Sequence, residues 1–281
     1  MFNMIFLKKI FIKLIENLGV GITSSLNLKN LRSKEAQFDS NVSRAALARS
    51  DQSLLLRLIR QQVLSAEKFE DVDLVLNYSK SQLREELFCL IQNNFKRSGF
   101  FVEFGALDGV TGSNTYVLEK YFDWSGILAE PNPNFWNDLV SIRTARVEKV
   151  AIGAEKSQSR EFLNLGNLST FSEYQRSDSH DRSLGKRMFV QTITLNELLH
   201  RNDAPNVIDF MSIDTEGSEL EIVSQFNFHK WRLNFVCIEH NYSSNAKLLL
   251  EVFENNGYRQ VFSEYSHFDF FLVPKESGNF R

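Results

Sequence analysis

Short apolar segments alternate with helix-length segments from residue 100 onward, and this alternation restricts the fold more than any other feature of the chain. The apolar segments FFVEFG, GILAEP and RVEKVAIG are separated by SNTYVLEKYF and NPNFWNDLV, and the pattern resumes with VIDFMSID (207–214) and NFVCIEH (234–240). Strands that alternate with helices build a parallel sheet with crossover connections. The last two apolar segments, YRQVFSEY and HFDFFLV, predict an antiparallel hairpin at one edge. We therefore expect an α/β fold with a mostly parallel sheet.

Residues 1–78 lack this alternation and predict an extension that precedes a domain spanning 79–275. The segment MFNMIFLKKIFIKLIENL (1–18) predicts an amphipathic helix, because its apolar and lysine positions fall on different faces. Such a helix either contacts a membrane surface or docks on its own domain or on a partner. Residues 19–50 are rich in Ser, Asn, Lys and Arg and predict a linker. Two further helical patterns follow before Gly99.

Composition and charge exclude several classes of protein. With 43% hydrophobic and 24% charged residues the chain has ordinary globular values, and it contains no run of about 20 uncharged apolar residues that would span a membrane. Its two cysteines, Cys89 and Cys237, do not make a disulfide scaffold and suit a reducing compartment. Residues 1–34 carry a net charge of +5, which leaves −8 on the rest and argues against a nucleic acid partner. We expect a cytoplasmic protein, and peripheral membrane contact through residues 1–18 stays open as an alternative to docking of this helix.

The first apolar strand delivers a glycine-containing turn to the edge where open α/β sheets bind ligands. Glu103 lies in this strand, Gly105-Ala106-Leu107-Asp108-Gly109 forms the turn, and Gly112-Ser113-Asn114-Thr115 opens the next helix. Glycines let the backbone approach a ligand closely, and a helix N-terminus presents free N–H groups to a carboxylate or phosphate. The glycine spacing does not fit a dinucleotide-binding fingerprint. A tight turn without a ligand is the alternative.

The second strand ends at Glu130, which Pro131 follows. A carboxylate at this place accepts hydrogen bonds from both hydroxyls of a ribose. The alternative is an acid that favours the dipole of the following helix. Beside the glycine turn, the adenosine-binding interpretation is favoured.

Acidic residues also follow the next two strands of the pattern. Asp214, Glu216 and Glu219 come after IDFMSI, while Glu239 and His240 come after NFVCI. Adjacent strands would place these groups side by side, where like charges raise one another's pKa. Helix capping explains part of the acidic set, and His240 is alternatively a core histidine.

Together these segments resemble the FkbM-type family of S-adenosylmethionine-dependent methyltransferases. The resemblance covers about residues 80–275 and is carried by FVEFGALDGVTGSNT (101–115), GILAEPNP (126–133), IDFMSIDTEGSELEI (208–222), CIEHN (237–241) and FDFFLV (268–273). The chain departs from the family at Glu103, where many members have aspartate, and at Ser212, where many have lysine. The resemblance implies the Rossmann-like class I methyltransferase fold, a seven-stranded sheet and S-adenosylmethionine as the cofactor.

The resemblance also implies which residues hold that cofactor. Near its methionine and sugar portions it places Glu103, Gly105, Ala106, Asp108 and Gly109. Its methionine carboxylate would be held by Ser113, Asn114 and Thr115, its ribose by Glu130 beside Pro131, and its adenine would be covered by Ala151. Asp214 and Glu216 match the acidic motif near the transferred methyl group.

Methyl transfer to a hydroxyl requires removal of the hydroxyl proton, and we expect His240 to be the general base, oriented by Glu239 or Asp214. Glu216 is the substitute candidate. The set Asp214, Glu239 and His240 is also similar to the metal site of catechol-type O-methyltransferases and would then hold Mg²⁺ or Mn²⁺. The acceptor implied by the resemblance is a hydroxyl of a sugar, a glycan or a natural product.

Residues 155–190 are a polar insertion that we interpret as a substrate-covering lid, with His180 and Arg182 as acceptor contacts. A surface loop without function is the alternative. Two other functions stay open at this point. One is an NAD-dependent enzyme with a similar sheet, and the other is a non-catalytic scaffold in glycan assembly.

Overall fold

The structure is a computed structural model that describes residues 68–155, 159–178 and 180–277. The predicted amphipathic helix at 1–18 and the predicted linker at 19–50 lie outside these residues. The described part belongs to one compact unit that spans Gln61–Arg281. The predicted boundary near residue 79 stays a prediction.

Helices and strands follow one another along the described chain as the apolar pattern predicts. The helices are α1 (Phe69–Tyr78), α2 (Glu85–Gln92), α3 (Tyr116–Phe122), α4 (Trp136–Ile142), α5 (Leu195–Arg201), α6 (Glu219–Ser224), α7 (Ala246–Asn255) and α8 (Ser263–Ser266). The strands are β1 (Phe100–Phe104), β2 (Ser125–Ala129), β3 (Arg146–Glu148), β4 (Ala151–Ile152), β5 (Ser159–Asn164), β6 (Thr170–Phe171), β7 (Lys186–Ile193), β8 (Val207–Ile208), β9 (Phe210–Ile213), β10 (Arg232–Leu233), β11 (Val236–Glu239), β12 (Tyr258–Val261) and β13 (Asp269–Pro274).

The main sheet has seven strands in the order β12-β13-β11-β9-β1-β2-β3. The pairs from β11 to β3 are parallel, and β13 runs antiparallel to both β11 and β12. This confirms the expected α/β fold, with its mostly parallel sheet and its antiparallel hairpin at one edge. Since β1 lies between β2 and β9, the carboxyl ends of these three strands meet at one edge of the sheet.

The central strands are buried on both faces, which explains why they read as nearly continuous apolar runs. In β9 every residue is buried, and in β1 only Phe100 is partly exposed. One large apolar cluster joins the sheet to the helices that cover it, through residues such as Val102 in β1, Leu198 in α5 and Phe253 in α7. The core therefore fixes the strand ends that carry the candidate site.

The predicted polar insertion contains strands. In a four-stranded sheet of order β4-β7-β5-β6, β5 pairs antiparallel with β7 over six residues. A small apolar cluster of Ala151, Phe162, Phe171 and Val190 stabilises this sheet. The insertion thus has a small apolar core of its own.

None of the described helices has the length and apolar character needed to cross a membrane.

Candidate active site

A cavity of about 510 Å³ lies at the carboxyl ends of β1, β2, β9 and β11. Its volume falls within the range that small-molecule sites occupy. The insertion contributes one wall, and the segment before α2 contributes Lys80 and Gln82. Of the residues predicted to bind the cofactor or a metal or to act in catalysis, eight line the cavity, namely Gly105, Asn114, Glu130, Pro131, Ala151, Asp214, Glu216 and Glu239. Seven do not line it, namely Glu103, Ala106, Asp108, Gly109, Ser113, Thr115 and His240.

The turn after β1 requires glycine at its first position. Gly105 has a φ of +73°, and a Cβ atom there would lie 2.4 Å from the carbonyl oxygen of Asp214. A side chain at this position would therefore collide with the backbone at the end of β9. Gly105 lets the ends of β1 and β9 approach each other at the floor of the cavity.

Glu103 points to the start of α3 instead of into the cavity. Its carboxylate accepts hydrogen bonds from the backbone N–H of Asn114 at 2.7 Å, from the Ser113 hydroxyl at 3.1 Å and from the Thr115 hydroxyl. Asn114 in turn donates to the Ser212 hydroxyl at 2.9 Å and lines the cavity. Glu103 thus positions a residue that faces the ligand space.

Arg143, which follows α4, also holds this turn, although no sequence motif indicates it. Its side chain is fully buried and donates to the Gly109 carbonyl at 3.1 Å, to the Ser113 hydroxyl at 3.1 Å and to the Thr115 hydroxyl at 2.9 Å. It also forms a 2.9 Å ion pair with Glu119. A single arginine at a helix end carries no local signal, since its partners lie 24 to 34 residues away along the chain.

Asp108 has a local role within the same turn. Its carboxylate accepts hydrogen bonds from the backbone N–H groups of Val110 at 2.9 Å and Thr111 at 2.7 Å. Although burial raises its pKa, these hydrogen bonds lower the pKa of Asp108 below its ordinary value overall. Asp108 therefore closes the turn as a carboxylate.

Glu130 stands at the end of β2 with its carboxylate on the cavity wall. One carboxylate oxygen accepts from the Leu107 N–H at 2.8 Å, and the other accepts from the Asn132 N–H at 2.7 Å. The residue is only 3% exposed, and this burial raises the pKa of Glu130 to about 7 in spite of the two hydrogen bonds. The carboxylate joins the β1 turn to the exit of β2 and keeps lone pairs for a ligand.

The ends of β9 and β11 bring three carboxylates together. Oxygens of Asp214, Glu216 and Glu239 lie within 4.8 Å of one another. Asp214 is exposed toward the cavity, yet desolvation by the surrounding cleft, followed by repulsion from Glu216, raises its pKa well above its ordinary value. Burial and the Asp214 charge do the same to the pKa of Glu239. Three oxygen ligands at this spacing suit a hard cation, and His240 is not among them.

Glu219, the first residue of α6, binds the turn that precedes this helix. Its carboxylate accepts from the backbone N–H groups of Thr215 at 2.9 Å and Gly217 at 3.0 Å, at the start of α6. The acidic motif thus divides into one residue that holds the turn, Glu219, and two cavity residues, Asp214 and Glu216.

His240 lies outside the cavity, against aromatic side chains. Its ring centroid is 4.2 Å from that of Phe270 and 5.2 Å from that of Tyr242. Its Nδ1 atom accepts a hydrogen bond from the Tyr242 N–H at 3.1 Å. Burial lowers the pKa of His240, which favours the neutral ring.

The insertion contributes His180 to the cavity wall, while Arg182 lies behind that wall. Arg182 is fully buried and binds Glu216 and both carboxylate oxygens of Asp178. Burial raises the pKa of Glu216 to about 7 in spite of this guanidinium. The structure thus brings His180, Glu216 and the ends of β9 and β11 together.

A second buried group lies at another part of the cavity. The Cys237 thiol donates to Asp269 at 3.0 Å, and Glu85 lies close to both. Burial, followed by the Glu85 charge, raises the pKa of Asp269 to about 8. Below that pH Asp269 is mainly a neutral acid that can donate a hydrogen bond into the cavity.

Comparison with known proteins identifies a family. Residues 103–260 match the model of the methyltransferase FkbM domain. No curated protein sequence gives a significant match. Among solved structures, the methyltransferase FkbM from Methylobacillus flagellatus KT is similar with 15% identity and a TM-score of 0.43, over 79% of this chain and 60% of that one. The TehB-like SAM-dependent methyltransferase from Corynebacterium glutamicum is similar with 12% identity and a TM-score of 0.38, over 75% of this chain and 97% of that one. The chain therefore spans less than two thirds of the FkbM structure.

Proposed function

Because this chain belongs to the FkbM methyltransferase family, we propose that it transfers a methyl group from S-adenosylmethionine to a hydroxyl of a sugar, a glycan or a natural product. The observation that carries this proposal is the cavity at the carboxyl ends of β1 and β2, where the glycine turn and Glu130 meet. Parallel sheets bind nucleoside-containing ligands at this place.

Glu130 and the residues near it fit the adenosine portion of the cofactor. The carboxylate of Glu130 would accept hydrogen bonds from the ribose hydroxyls, for which it keeps lone pairs beyond those used by Leu107 and Asn132. Ala151, Ile152 and Phe162 form an apolar part of the cavity wall that suits an adenine ring. Dispersion contacts and exclusion of water would hold the ring there.

The turn after β1 and the start of α3 fit the other end of the cofactor. Gly105 keeps the floor open, and Asn114 faces the cavity with its backbone fixed by Glu103. Glu103, Arg143 and Asp108 would act on this end as positioning residues, because each of them holds the turn through hydrogen bonds.

When bound, S-adenosylmethionine supplies a methyl group on a positively charged sulfur. A positive charge at the ends of β9 and β11 would relieve the repulsion that raises the pKa values of Asp214 and Glu239, so the site favours a cation. The acceptor would bind at the same strand ends, and its hydroxyl proton would pass to a side chain on the cavity wall. The chain's own contribution is therefore to orient the two reactants and to remove this proton.

A metal-assisted form of the reaction is a separate question for this site. Asp214 and Glu239 converge as the sequence predicts, but Glu216 takes the place expected for His240. In the described structure Glu216 is already bound to Arg182, which leaves Asp214 and Glu239 as the carboxylates available to Mg²⁺ or Mn²⁺. Activity that EDTA abolishes and Mg²⁺ restores would support the metal, and full activity in EDTA would exclude it.

The proposal is tested with S-adenosylmethionine that carries a labelled methyl group and with a panel of sugars, glycans and phenolic natural products. We expect label in at least one hydroxyl acceptor, with the new O-methyl group identified by mass spectrometry. Glu130→Ala should lose the activity, whereas Glu148→Ala, a strand-end glutamate outside the cavity, should retain it. Label on nitrogen would contradict the hydroxyl acceptor, and equal activity of the two variants would contradict the ribose role of Glu130.

A further inference from the structure

We propose that His180 is the general base of the reaction, that Asp178 orients its ring, and that Arg182 fixes Asp178. This inference rests on the proposed methyl transfer to a hydroxyl. All five histidines of the chain lie within the described residues, and of these His180 alone lines the cavity. A general base must reach the hydroxyl proton in the bound complex, so a place on the cavity wall is its first requirement.

Asp178 sets the orientation and the tautomer of the His180 ring. One carboxylate oxygen of Asp178 lies 3.2 Å from Nδ1 of His180 and also accepts the backbone N–H of His180 at 2.7 Å. A carboxylate beside Nδ1 favours the proton on that nitrogen. The other ring nitrogen, Nε2, is then left with a free lone pair. This is the arrangement of an oriented base.

Arg182 keeps Asp178 ionised and in place. Its guanidinium donates to both oxygens of Asp178 at 2.9 Å and to the Leu168 carbonyl at 3.0 Å. The side chains of Arg182 and Asp178 are 0% and 2% exposed. Burial alone would raise the pKa of Asp178, but the hydrogen bonds from Arg182 and His180 lower it. Arg182 is therefore a positioning residue, and the acceptor contact expected for it from the sequence is not compatible with its full burial.

The turn that carries His180 is attached to the ends of both β9 and β11. Asn241, next to β11, donates to Asp178 at 3.3 Å, and Arg182 binds Glu216 after β9. Charged groups near His180 include Asp178, Asp181 and Arg182 in its own segment and Glu216 opposite. The same strand ends carry Asp214 and Glu239, where the acceptor would bind.

The His180 side chain is also suited to its task by exposure and by chemistry. It is 47% exposed, so the ring can meet an acceptor and exchange its proton with solvent. A neutral imidazole can accept a proton on one ring nitrogen while a carboxylate holds the other, as a general base requires. His240, in contrast, has its ring packed between Phe270 and Tyr242.

The proposed step balances in atoms and charge. The acceptor oxygen forms a bond to the methyl carbon, and the carbon–sulfur bond breaks with its electron pair moving to sulfur. The sulfonium becomes the thioether of S-adenosylhomocysteine. The hydroxyl proton moves to Nε2 of His180, and the resulting imidazolium is stabilised by Asp178 until solvent removes the proton.

The first test measures the tautomer of His180 without any acceptor. The protein is labelled with ¹⁵N in its histidine rings, and the His180 signals are assigned by their loss in His180→Gln. In the neutral ring we expect the proton on Nδ1 and a bare Nε2, both with and without S-adenosylhomocysteine. A proton on Nε2 would overturn the proposal, because that nitrogen would then have no lone pair for the acceptor.

The second test compares three matched variants, His180→Gln, His240→Gln and His229→Gln, the last of which replaces an exposed histidine outside the cavity. The acceptor is the panel member that the wild type labels. His180→Gln should lower kcat at least about 100-fold, keep the affinity for S-adenosylhomocysteine within about twofold of wild type, and lose the acidic limb of the pH–rate profile. His229→Gln should behave as the wild type.

Unchanged kcat in His180→Gln, or loss of kcat in His240→Gln alone, would overturn the proposal. Failure of the proposed function looks different, because the wild type would then not bind S-adenosylhomocysteine at all. If the wild-type protein binds S-adenosylhomocysteine but methylates no acceptor of the panel, the tautomer of the His180 ring decides whether His180 can act as the base.

Discussion

Replacement of Arg143 tests how the cofactor turn is held. Arg143→Met keeps most of the side-chain volume but removes the guanidinium that binds Gly109, Ser113, Thr115 and Glu119. The carboxylate of Glu119, only 3% of which is exposed, would then lose its buried cation and keep only the partly exposed ammonium of Lys120, 3.1 Å from Oε1.

The magnitude follows from this burial. Removing one partner of a buried ion pair costs about 3–5 kcal/mol. A domain of the size of the described chain loses roughly 2–4 °C in Tm for each kcal/mol. Arg143→Met should therefore lower the Tm by about 6–20 °C. Arg143→Lys keeps the charge, but its ammonium cannot reach all of the partners at once. Its Tm should therefore lie between those of the wild type and Arg143→Met.

The difference in Tm between wild type and Arg143→Met should also depend on pH. Although burial raises the pKa of Glu119, Arg143 and the Thr144 N–H lower it below its ordinary 4.5. The stability that Glu119 contributes in the wild type is complete above that unfolded value and is lost as the pH falls through the lower folded value. The difference in Tm between wild type and Arg143→Met should therefore be larger at pH 7 than at pH 4.

Calorimetry at both pH values, with titration of S-adenosylhomocysteine at pH 7, measures these effects. We expect the variant that still folds to bind the ligand more weakly, since the turn is released. A Tm within about 2 °C of wild type, together with unchanged affinity, would refute the assignment of Arg143 as the residue that holds the turn.

Three further predictions address single positions. Gly105→Ala should destabilise the protein far more than Gly257→Ala, because both glycines have positive φ but only at Gly105 would the new Cβ meet backbone, 2.4 Å from the Asp214 carbonyl oxygen; equal Tm values would contradict the close approach of β1 and β9. The affinity for S-adenosylhomocysteine should rise by up to about tenfold from pH 6 to pH 8, because Glu130, with its pKa of about 7, must lose its proton to accept hydrogen bonds from the ribose. Calorimetry in two buffers would show the release of this proton on binding, and an affinity that does not change with pH would contradict the role of Glu130. Arg182→Met should lower the Tm by several degrees and expose the 166–182 segment to limited proteolysis, because Asp178 and Glu216 would lose their buried cation; a wild-type digestion pattern would count against Arg182 as the anchor of the insertion.

The sequence predicts the central sheet because its strands are buried on both faces. The strands β1, β9 and β11 therefore stand out as apolar runs, and Glu130 and Asp214 follow strands whose ends meet in a parallel sheet. The terminal hairpin was predictable for a related reason, since β12 and β13 are adjacent in the chain and pair antiparallel.

The direction of individual side chains was not predictable from this pattern. In β1 the residues from Phe101 to Phe104 are all buried, so alternation does not show that Glu103 faces α3 instead of the cavity. The roles of Arg143 and Arg182 depend on partners more than 20 residues away. Such pairs arise only when the strands are in register, and a single sequence does not encode that register locally.

The insertion was the least predictable part of the chain. Its strands β5 and β7 are rich in polar and charged residues, and they pair across a long connection without a short turn signal. His180 was named in the sequence analysis as an acceptor contact, but its partner Asp178 was not. The part of the cavity wall that the insertion forms is therefore visible only in the tertiary structure.

Isothermal titration of S-adenosylhomocysteine, with NADH as the comparison ligand, tests the central claim most directly. Wild type and Glu148→Ala should bind one S-adenosylhomocysteine with micromolar affinity, Glu130→Ala should bind it at least about tenfold more weakly, a loss of about 1.4 kcal/mol, and none should bind NADH. A folded wild-type protein that binds NADH and no S-adenosylhomocysteine would contradict the account.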